Sequence, residues 1–280
     1  MPSIEAEGAG VLSSAGRGAV GSYIGKMGAA DGRIKSKYPQ LKNALWVDGE
    51  IFRSAYPLAG HDRIRNRRIW SDSFVRSPRE LDVSGINPRS IYFEAVNREF
   101  MRAIYPIGGA ESYFFIMSGR PTNGGATGAR GLIGQMGTDG NSIYSWITQT
   151  SIGSNFAFSL RHGGESEPDV RVNSADSGIT PFSRTVLWGG YNADTGMGYI
   201  GRSASVLLAS RAVTAPKKSA RLMIGSLPYS SAPTQTYEGR MEFMIVCSGQ
   251  SIWNATAGHE ANTLRASLIL DLQAIYNLAL

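Results

Sequence analysis

The chain has 280 residues, enough for one large sandwich with an appendage or for two modest domains. Hydrophobic residues make up 42% and charged residues 18%, as in a globular protein, while 34 glycines and 12 tyrosines lean towards a turn-rich, all-β architecture. The single cysteine, Cys247, excludes an intrachain disulfide and with it a disulfide-stapled secreted scaffold, and the net charge of +6 comes almost entirely from residues 1–110, with 16 Lys and Arg against 11 Asp and Glu.

The N-terminus carries Glu5 and Glu7 where a signal peptide needs positive charge, and no later run is apolar for about 18 residues, so synthesis as a soluble cytosolic chain is expected. As far as Arg33 the chain spaces eight glycines, from Gly8 to Gly32, among alanines and serines. Such a segment has too little large apolar surface to offset the entropy of ordering it, and reads as an extended arm. From Ile34 to about Pro88 the aromatics Trp46, Phe52, Tyr56, Trp70 and Phe74 lie among arginines without a clear period, the pattern of a segment that orders by draping over something larger. The expected division is therefore an extended, basic, glycine-rich anchoring segment over 1–89 and a folded domain over 90–280.

From Ser90 onward, short apolar runs alternate with Gly, Asn, Asp and Ser clusters, the pattern of a sandwich or barrel. Strands are expected near 90–96, 112–118, 131–136, 142–148, 155–161, 185–191, 197–200, 205–210, 221–224 and 240–247. Turns at Thr138-Asp139-Gly140-Asn141 and Asn192-Ala193-Asp194-Thr195-Gly196 supply the positive φ angles of tight hairpins. In the last expected strand Met241, Phe243 and Ile245 alternate with Arg240, Glu242 and Met244, which predicts one core face and one wetter face. A single helix is expected from Glu260 to about Asn277, where Leu264, Leu268, Leu272, Ile275 and Tyr276 recur near helical spacing.

The order of these pieces resembles the laminin-G-like branch of the concanavalin A-like superfamily. Tyr113-Phe114-Phe115-Ile116-Met117 is similar to that family's early core strand and Gly131-Leu132-Ile133-Gly134 to the next. Arg221-Leu222-Met223-Ile224-Gly225, followed by Tyr237-Glu238-Gly239-Arg240-Met241-Glu242-Phe243-Met244-Ile245, is similar to its late strand pair, in which a glycine ends one strand and an aromatic-x-Gly turn opens the next. Over residues 90–280 the resemblance implies a two-sheet antiparallel jelly roll closed by a helix.

Relatives of this fold that cleave glycosides place Glu-x-Asp-x-Glu on one strand face, so that one carboxyl protonates the leaving group while another attacks. Here Glu165, Glu167 and Asp169 have the spacing but not the order, and Gly163, Gly164 and Pro168 break the strand around them, so a solvated acidic loop is the reading. His61, His162 and His259 are scattered, and Cys247 sits on an apolar strand as a small core residue, so neither a metal nor a cofactor is expected. Asp139 and Asn141, or Asn192 and Asp194, offer oxygen atoms that calcium accepts, yet turn formation explains them more simply. Gly16-Arg17-Gly18-Ala19-Val20-Gly21 spells a dinucleotide fingerprint without the strand and helix it requires. Arg63, Arg65, Arg67 and Arg68 form the densest basic cluster, suited to an acidic surface in an assembly; no groove-reading motif accompanies it to recommend nucleic acid. Trp146, Trp188, Tyr191, Tyr199 and Trp253 lie on or beside expected strands, mostly as core; Trp188 with Tyr191, next to Gly189-Gly190, and then Trp146 are the candidates for stacking on sugar rings.

A binding-type sandwich joined to a segment that cannot fold alone leads to the expectation of a non-enzymatic structural or adhesion protein of a tailed-bacteriophage virion, in a capsid decoration, fibre or tail. Its partners would be other virion proteins, further copies of itself and a host surface polysaccharide, with no membrane. The alternatives are a lectin-like carbohydrate-binding module and, third, a glycoside hydrolase.

Overall fold

A computed structural model of the chain describes residues 34, 36–48, 59–61, 68–70, 79–81, 90–94, 99–122, 129–136, 143–152, 155–163, 167–180, 183–226 and 236–278. The chain divides into two compact units, Met1–Pro39 and Gln40–Leu280. Most of the expected arm lies outside the described residues; at the end of the first unit the Tyr38 N–H donates to the Ile34 carbonyl.

The second unit contains the strands, which in chain order are β1 (Leu45–Asp48), β2 (Ala59–His61), β3 (Arg68–Trp70), β4 (Arg79–Leu81), β5 (Ser90–Phe93), β6 (Met101–Ile107), β7 (Tyr113–Pro121) and β8 (Ala129–Met136). They continue with β9 (Ile143–Ile152), β10 (Asn155–His162), β11 (Asp169–Val172), β12 (Thr185–Asn192), β13 (Met197–Arg202), β14 (Val206–Ala212), β15 (Ser219–Ile224) and β16 (Gly239–Ser248). A one-turn helix α1 (Ser174–Ser177) follows β11, and α2 (Glu260–Ile275) follows β16. Sheet A has the order β14-β13-β12-β7-β16-β5-β4 with β1 also paired to β16, and sheet B the order β11-β10-β9-β8-β15-β6-β3-β2. Every ladder between these strands is antiparallel. The protein is thus the two-sheet antiparallel sandwich with a C-terminal helix that its sequence predicts.

The core between the sheets is set by period-two alternation. In β6, Met101, Ala103, Tyr105 and Ile107 point inward, to meet Leu45 and Val47 of β1, Tyr113, Phe115 and Met117 of β7, Phe156, Phe158 and Leu160 of β10, and Leu222 and Ile224 of β15. A second apolar layer lies on the opposite face of sheet A. There Trp46, Phe114, Ile116, Trp188, Phe243, Ile245 and Cys247 are buried together with Leu268, Ile269 and Leu272 of α2. Tyr276, which caps α2, stacks on Phe243 with ring centroids 4.6 Å apart, accepts a hydrogen bond from Trp46 Nε1 at 2.9 Å and donates one to the buried Asp48 carboxylate. At the other end of the helix, the Arg265 guanidinium lies 4.4 Å from the centroid of the Trp188 ring and donates to the carbonyls of Ile252 and Ala204.

That second layer changes the expected pattern of β16. A bulge between Met241 and Phe243 shifts the register, so that Met241, Met244 and Val246 join the inter-sheet core while Phe243, Ile245 and Cys247 face the helix. Neither face of the strand is wet. Strands not anticipated from the sequence are β6, where Pro106 and Arg102 interrupt the apolar text, β11, behind Pro168, and β1 to β4, which bring residues from the front of the chain into both sheets. The expected turn at Thr138 to Asn141 lies outside the described residues. The one at Ala193 to Gly196 joins β12 to β13, with Gly196 at φ 66° and the Asp194 N–H donating to Asn192 Oδ1.

Trp188 is opposite Gly201 in the β12–β13 ladder, and its indole lies across that glycine so closely that a Cβ there would collide with the ring. Gly201→Ala should therefore force Trp188 off its seat under Arg265 and cost about 1–3 kcal/mol of stability, the usual cost of overpacking. Urea denaturation followed by tryptophan fluorescence checks this.

Candidate functional site

A two-sheet sandwich has four faces. The two inner faces pack on each other, and the outer face of sheet A lies beneath α2 and the chain leading into it. Among the described residues the helix that accompanies sheet B is the one-turn α1, against β10. With Ala103 and Leu222 turned into the core, alternation turns Arg102 and Ile104 of β6, and Arg221 and Met223 of β15, onto this outer face. They line a groove of about 510 Å³, within the range of small-ligand sites. Ile104 is 65% exposed, unusual for a strand isoleucine, and Arg221 is also exposed, whereas Met223 is buried at the floor. The Arg102 guanidinium is 5.3 Å from the centroid of the Phe100 ring. The groove therefore sets exposed Ile104 and Arg221 beside buried Met223, with half-buried Arg102 next along β6.

Further along the same face, Asp169 of β11 holds Arg161 of β10 at 3.0 Å and Arg171 at 3.1 Å. Partial burial pushes the Asp169 carboxyl up, but the hydrogen bond from Arg161 and the charge of Arg171 override this and hold it below its ordinary value. Among the described residues this row carries one more cation than anion.

The carboxylates considered for catalysis are not arranged for it. Glu165 lies outside the described residues, Glu167 accepts from Thr214 Oγ1 at 2.6 Å, and Asp169 is held by its two arginines. Glu242, on the outer side of sheet A, is buried between Arg184 at 3.2 Å, Arg120 at 3.8 Å and Ser118 Oγ at 3.1 Å. Burial raises its pKa, with the two arginines and Ser118 opposing the shift. Among the described residues no group of three His, Cys, Asp or Glu side chains could hold a metal ion. Asn192 accepts from the Asp194 N–H and donates to the Trp253 carbonyl, which commits it to the turn.

The aromatic candidates require a correction. Trp188 is 0% exposed and Tyr191 5%, so neither ring has a face for a sugar: the first lies under Arg265, and the second faces the inter-sheet core beside His162. Gly189 and Gly190 lie in the middle of β12, where Gly189 clears the Phe115 ring. Tyr199 and Trp253 are buried against each other with centroids 5.4 Å apart. Trp146 lies in β9, opposite Arg161 in one neighbour and Gly134 in the other. Arg63, Arg65 and Arg67 lie outside the described residues, and Arg68 opens β3 opposite His61. Arg102, Ile104 and Arg221 were not anticipated, although the inward set Met101, Ala103, Tyr105 and Ile107 was a signal that could have found the first two.

These features define an antiparallel β-sandwich with a groove on the outer side of sheet B that is lined in part by arginines. No family model and no curated protein sequence matches the chain. Among solved structures it is similar to a sialidase of Trypanosoma rangeli, with a TM-score of 0.54 and 10% identity over 82% of this chain and 33% of the sialidase. It is also similar to domain 4 of AbnA, a GH43 extracellular arabinanase from Geobacillus stearothermophilus, solved in complex with arabinotriose, with a TM-score of 0.44 and 12% identity over 69% of this chain and 81% of that domain. A third similar structure is the Ruminococcus gnavus IT-sialidase CBM40 bound to α2,3-sialyllactose, at 0.38 and 13% over 49% of this chain and 76% of that one. At such identities the likeness is one of fold.

His162, at the end of β10, is 1% exposed. Its Nδ1 is 2.7 Å from the Thr214 carbonyl and its Nε2 2.7 Å from the Tyr113 hydroxyl, so a neutral ring that donates through Nδ1 satisfies both. Burial lowers its pKa from 6.5 to about 4, with the Thr214 hydrogen bond opposing the shift. Between those values the unfolded chain takes up a proton that the folded chain refuses. The contribution is therefore intact above pH 6.5, declines as pH falls, and is gone by about pH 4, amounting to about 3 kcal/mol. Equilibrium unfolding of the wild type and His162→Gln across that window should show the difference between them shrinking as pH falls.

Proposed function

We propose that this chain is a carbohydrate-binding module that holds an acidic saccharide in the groove between β6 and β15. The observation that carries this reading is exposed Arg221 opposite exposed Ile104 in a groove that Arg102 also lines. A guanidinium matches the planar carboxylate of an acidic sugar in two-pronged hydrogen bonds, and the exposed isoleucine opposite it suits the C–H face of a pyranose ring. The sandwich fold shared with the sialidase supports a saccharide-related setting at the level of architecture alone. The reading is of binding without turnover, because Glu167, Asp169 and Glu242 are each engaged by neighbouring donors.

The sequence recommends a site of action. A basic, glycine-rich front with Arg63, Arg65, Arg67 and Arg68 suits anchoring in a virion, where the module would meet a host surface polysaccharide. Recovery of the chain at many copies in purified particles would support that placement, and its absence from them would end it.

For the module itself, titration calorimetry against a uronate- or sialate-containing oligosaccharide and its neutral counterpart is the test. Arg221→Ala should weaken binding about ten- to a hundredfold, the loss of a charged hydrogen bond worth about 1.5–3 kcal/mol, with the melting temperature unchanged. Equal binding of acidic and neutral sugars, or no effect of the substitution, would remove the groove as the site.

A further inference from the structure

Like charges directly opposite each other on neighbouring strands destabilise a sheet, unless an opposite charge meets them. One end of the outer face of sheet A carries a run of such charges. In the ladders Arg240 of β16 is opposite Arg120 of β7 on one side and Tyr92 of β5 on the other. One step beyond the Thr185–Gly119 pair, Arg184 falls beside Arg120. Ile91, Met117, Leu187 and Met241 point into the inter-sheet core, so alternation turns Tyr92, Arg120, Arg184 and Arg240 outward together. All four are half-buried. The contacts of α2 with β12 and β16, at Trp188 and Phe243, lie farther along the same strands.

Among the described residues a single carboxylate serves this row. Glu242 accepts from Ser118 Oγ through Oε2 and from Arg184 Nε through Oε1, and Arg120 Nε lies 3.8 Å from the same Oε1. Both carboxylate oxygens are thereby used, and both guanidinium groups are held by their Nε edge. Among the described residues the Nη groups of Arg120 and Arg184 make no hydrogen bond, and Arg240 forms no ion pair. Three guanidinium groups from three adjacent strands, which are spaced about 5 Å apart, thus stand against one buried carboxylate and leave two positive charges in excess.

We propose that this row binds a doubly charged tetrahedral oxyanion, a phosphate or sulfate group, between Arg240 and the Nη groups of Arg120 and Arg184. The excess of positive charge sets the charge of the ligand. The spacing sets its shape: a carboxylate offers two oxygens in one plane and meets one guanidinium fork, whereas the oxygens of a tetrahedral ion diverge towards donors on neighbouring strands. Glu242 holds two of the guanidinium groups in place before the ion arrives, which lowers the cost of ordering them. The site is on the opposite sheet from the groove between β6 and β15, so neither reading depends on the other.

Titration calorimetry of the full chain at fixed ionic strength tests it. Inorganic phosphate and sulfate should bind saturably at one site, and acetate should not. Arg240→Gln should weaken phosphate binding about tenfold or more. In chloride alone, thermal unfolding of this variant should occur no lower than that of the wild type, because a charge facing Arg120 is gone; an arginine with a merely structural role would lose stability there. Arg221→Ala, in the sheet B groove, should leave phosphate binding intact. Glucose 6-phosphate distinguishes the source of the ion: binding tighter than that of inorganic phosphate assigns the site to a phosphate ester, and equal or weaker binding assigns it to the free ion. No saturable phosphate binding, binding unchanged in Arg240→Gln, or binding abolished by Arg221→Ala would overturn the proposal.

Discussion

The burial of both faces of sheet A is the constraint on which the rest of this protein depends. Its inner face meets sheet B; its outer face is closed by a single helix secured at two points, through Tyr276 on Trp46, Asp48 and Phe243, and through Arg265 on Trp188. The central strands of such a sheet must be apolar on every residue, which is why β7 and β16 read as near-continuous hydrophobic runs. It also explains why a residue from β1, far away in sequence, supplies the carboxylate that Tyr276 needs: a buried hydroxyl that accepts from Trp46 has its own proton to place.

Polar groups drawn into this double-layered interior are used to hold it together. Glu242 is shared by Ser118, Arg184 and Arg120, Gln135 Nε2 donates to the carbonyls of Ile107, Lys217 and Ser219, and Arg130 joins Glu238 to the Thr236 carbonyl. Groups so engaged are unsuited to reacting with a ligand. On sheet B, by contrast, guanidinium groups outnumber carboxylates along β6, β15, β10 and β11, and Arg221 and Arg171 are exposed.

How far the sequence could be read depended on whether local pattern or distant contact decided each feature. The hairpin of β12 and β13, with its Asn-Ala-Asp-Thr-Gly turn, is local, and its bounds emerged from turn chemistry alone. The helix from Glu260 was legible from its leucines, although the partner on which they pack was not. Trp188 shows the limit: its position on a strand was apparent, but whether its ring met water depended on Arg265 from α2 and on Gly201 from the neighbouring strand. The same ignorance hid the groove, since Pro106 breaks the apolar text of β6 but falls at the register shift towards β15, where a strand tolerates its missing N–H.

The sequence by itself determined the class of this protein: all-β, antiparallel, punctuated by glycine and asparagine turns, and closed by one helix. Those properties follow from the period of hydrophobicity and from backbone preferences, which act over a few residues. Which sheet face would be covered, which aromatic rings would be lost to the core and which arginines would be left on an open groove were decided only by tertiary structure. Alternation tells that a strand has two sides, but the fate of each side is set by whatever segment, however remote along the chain, comes to rest against it.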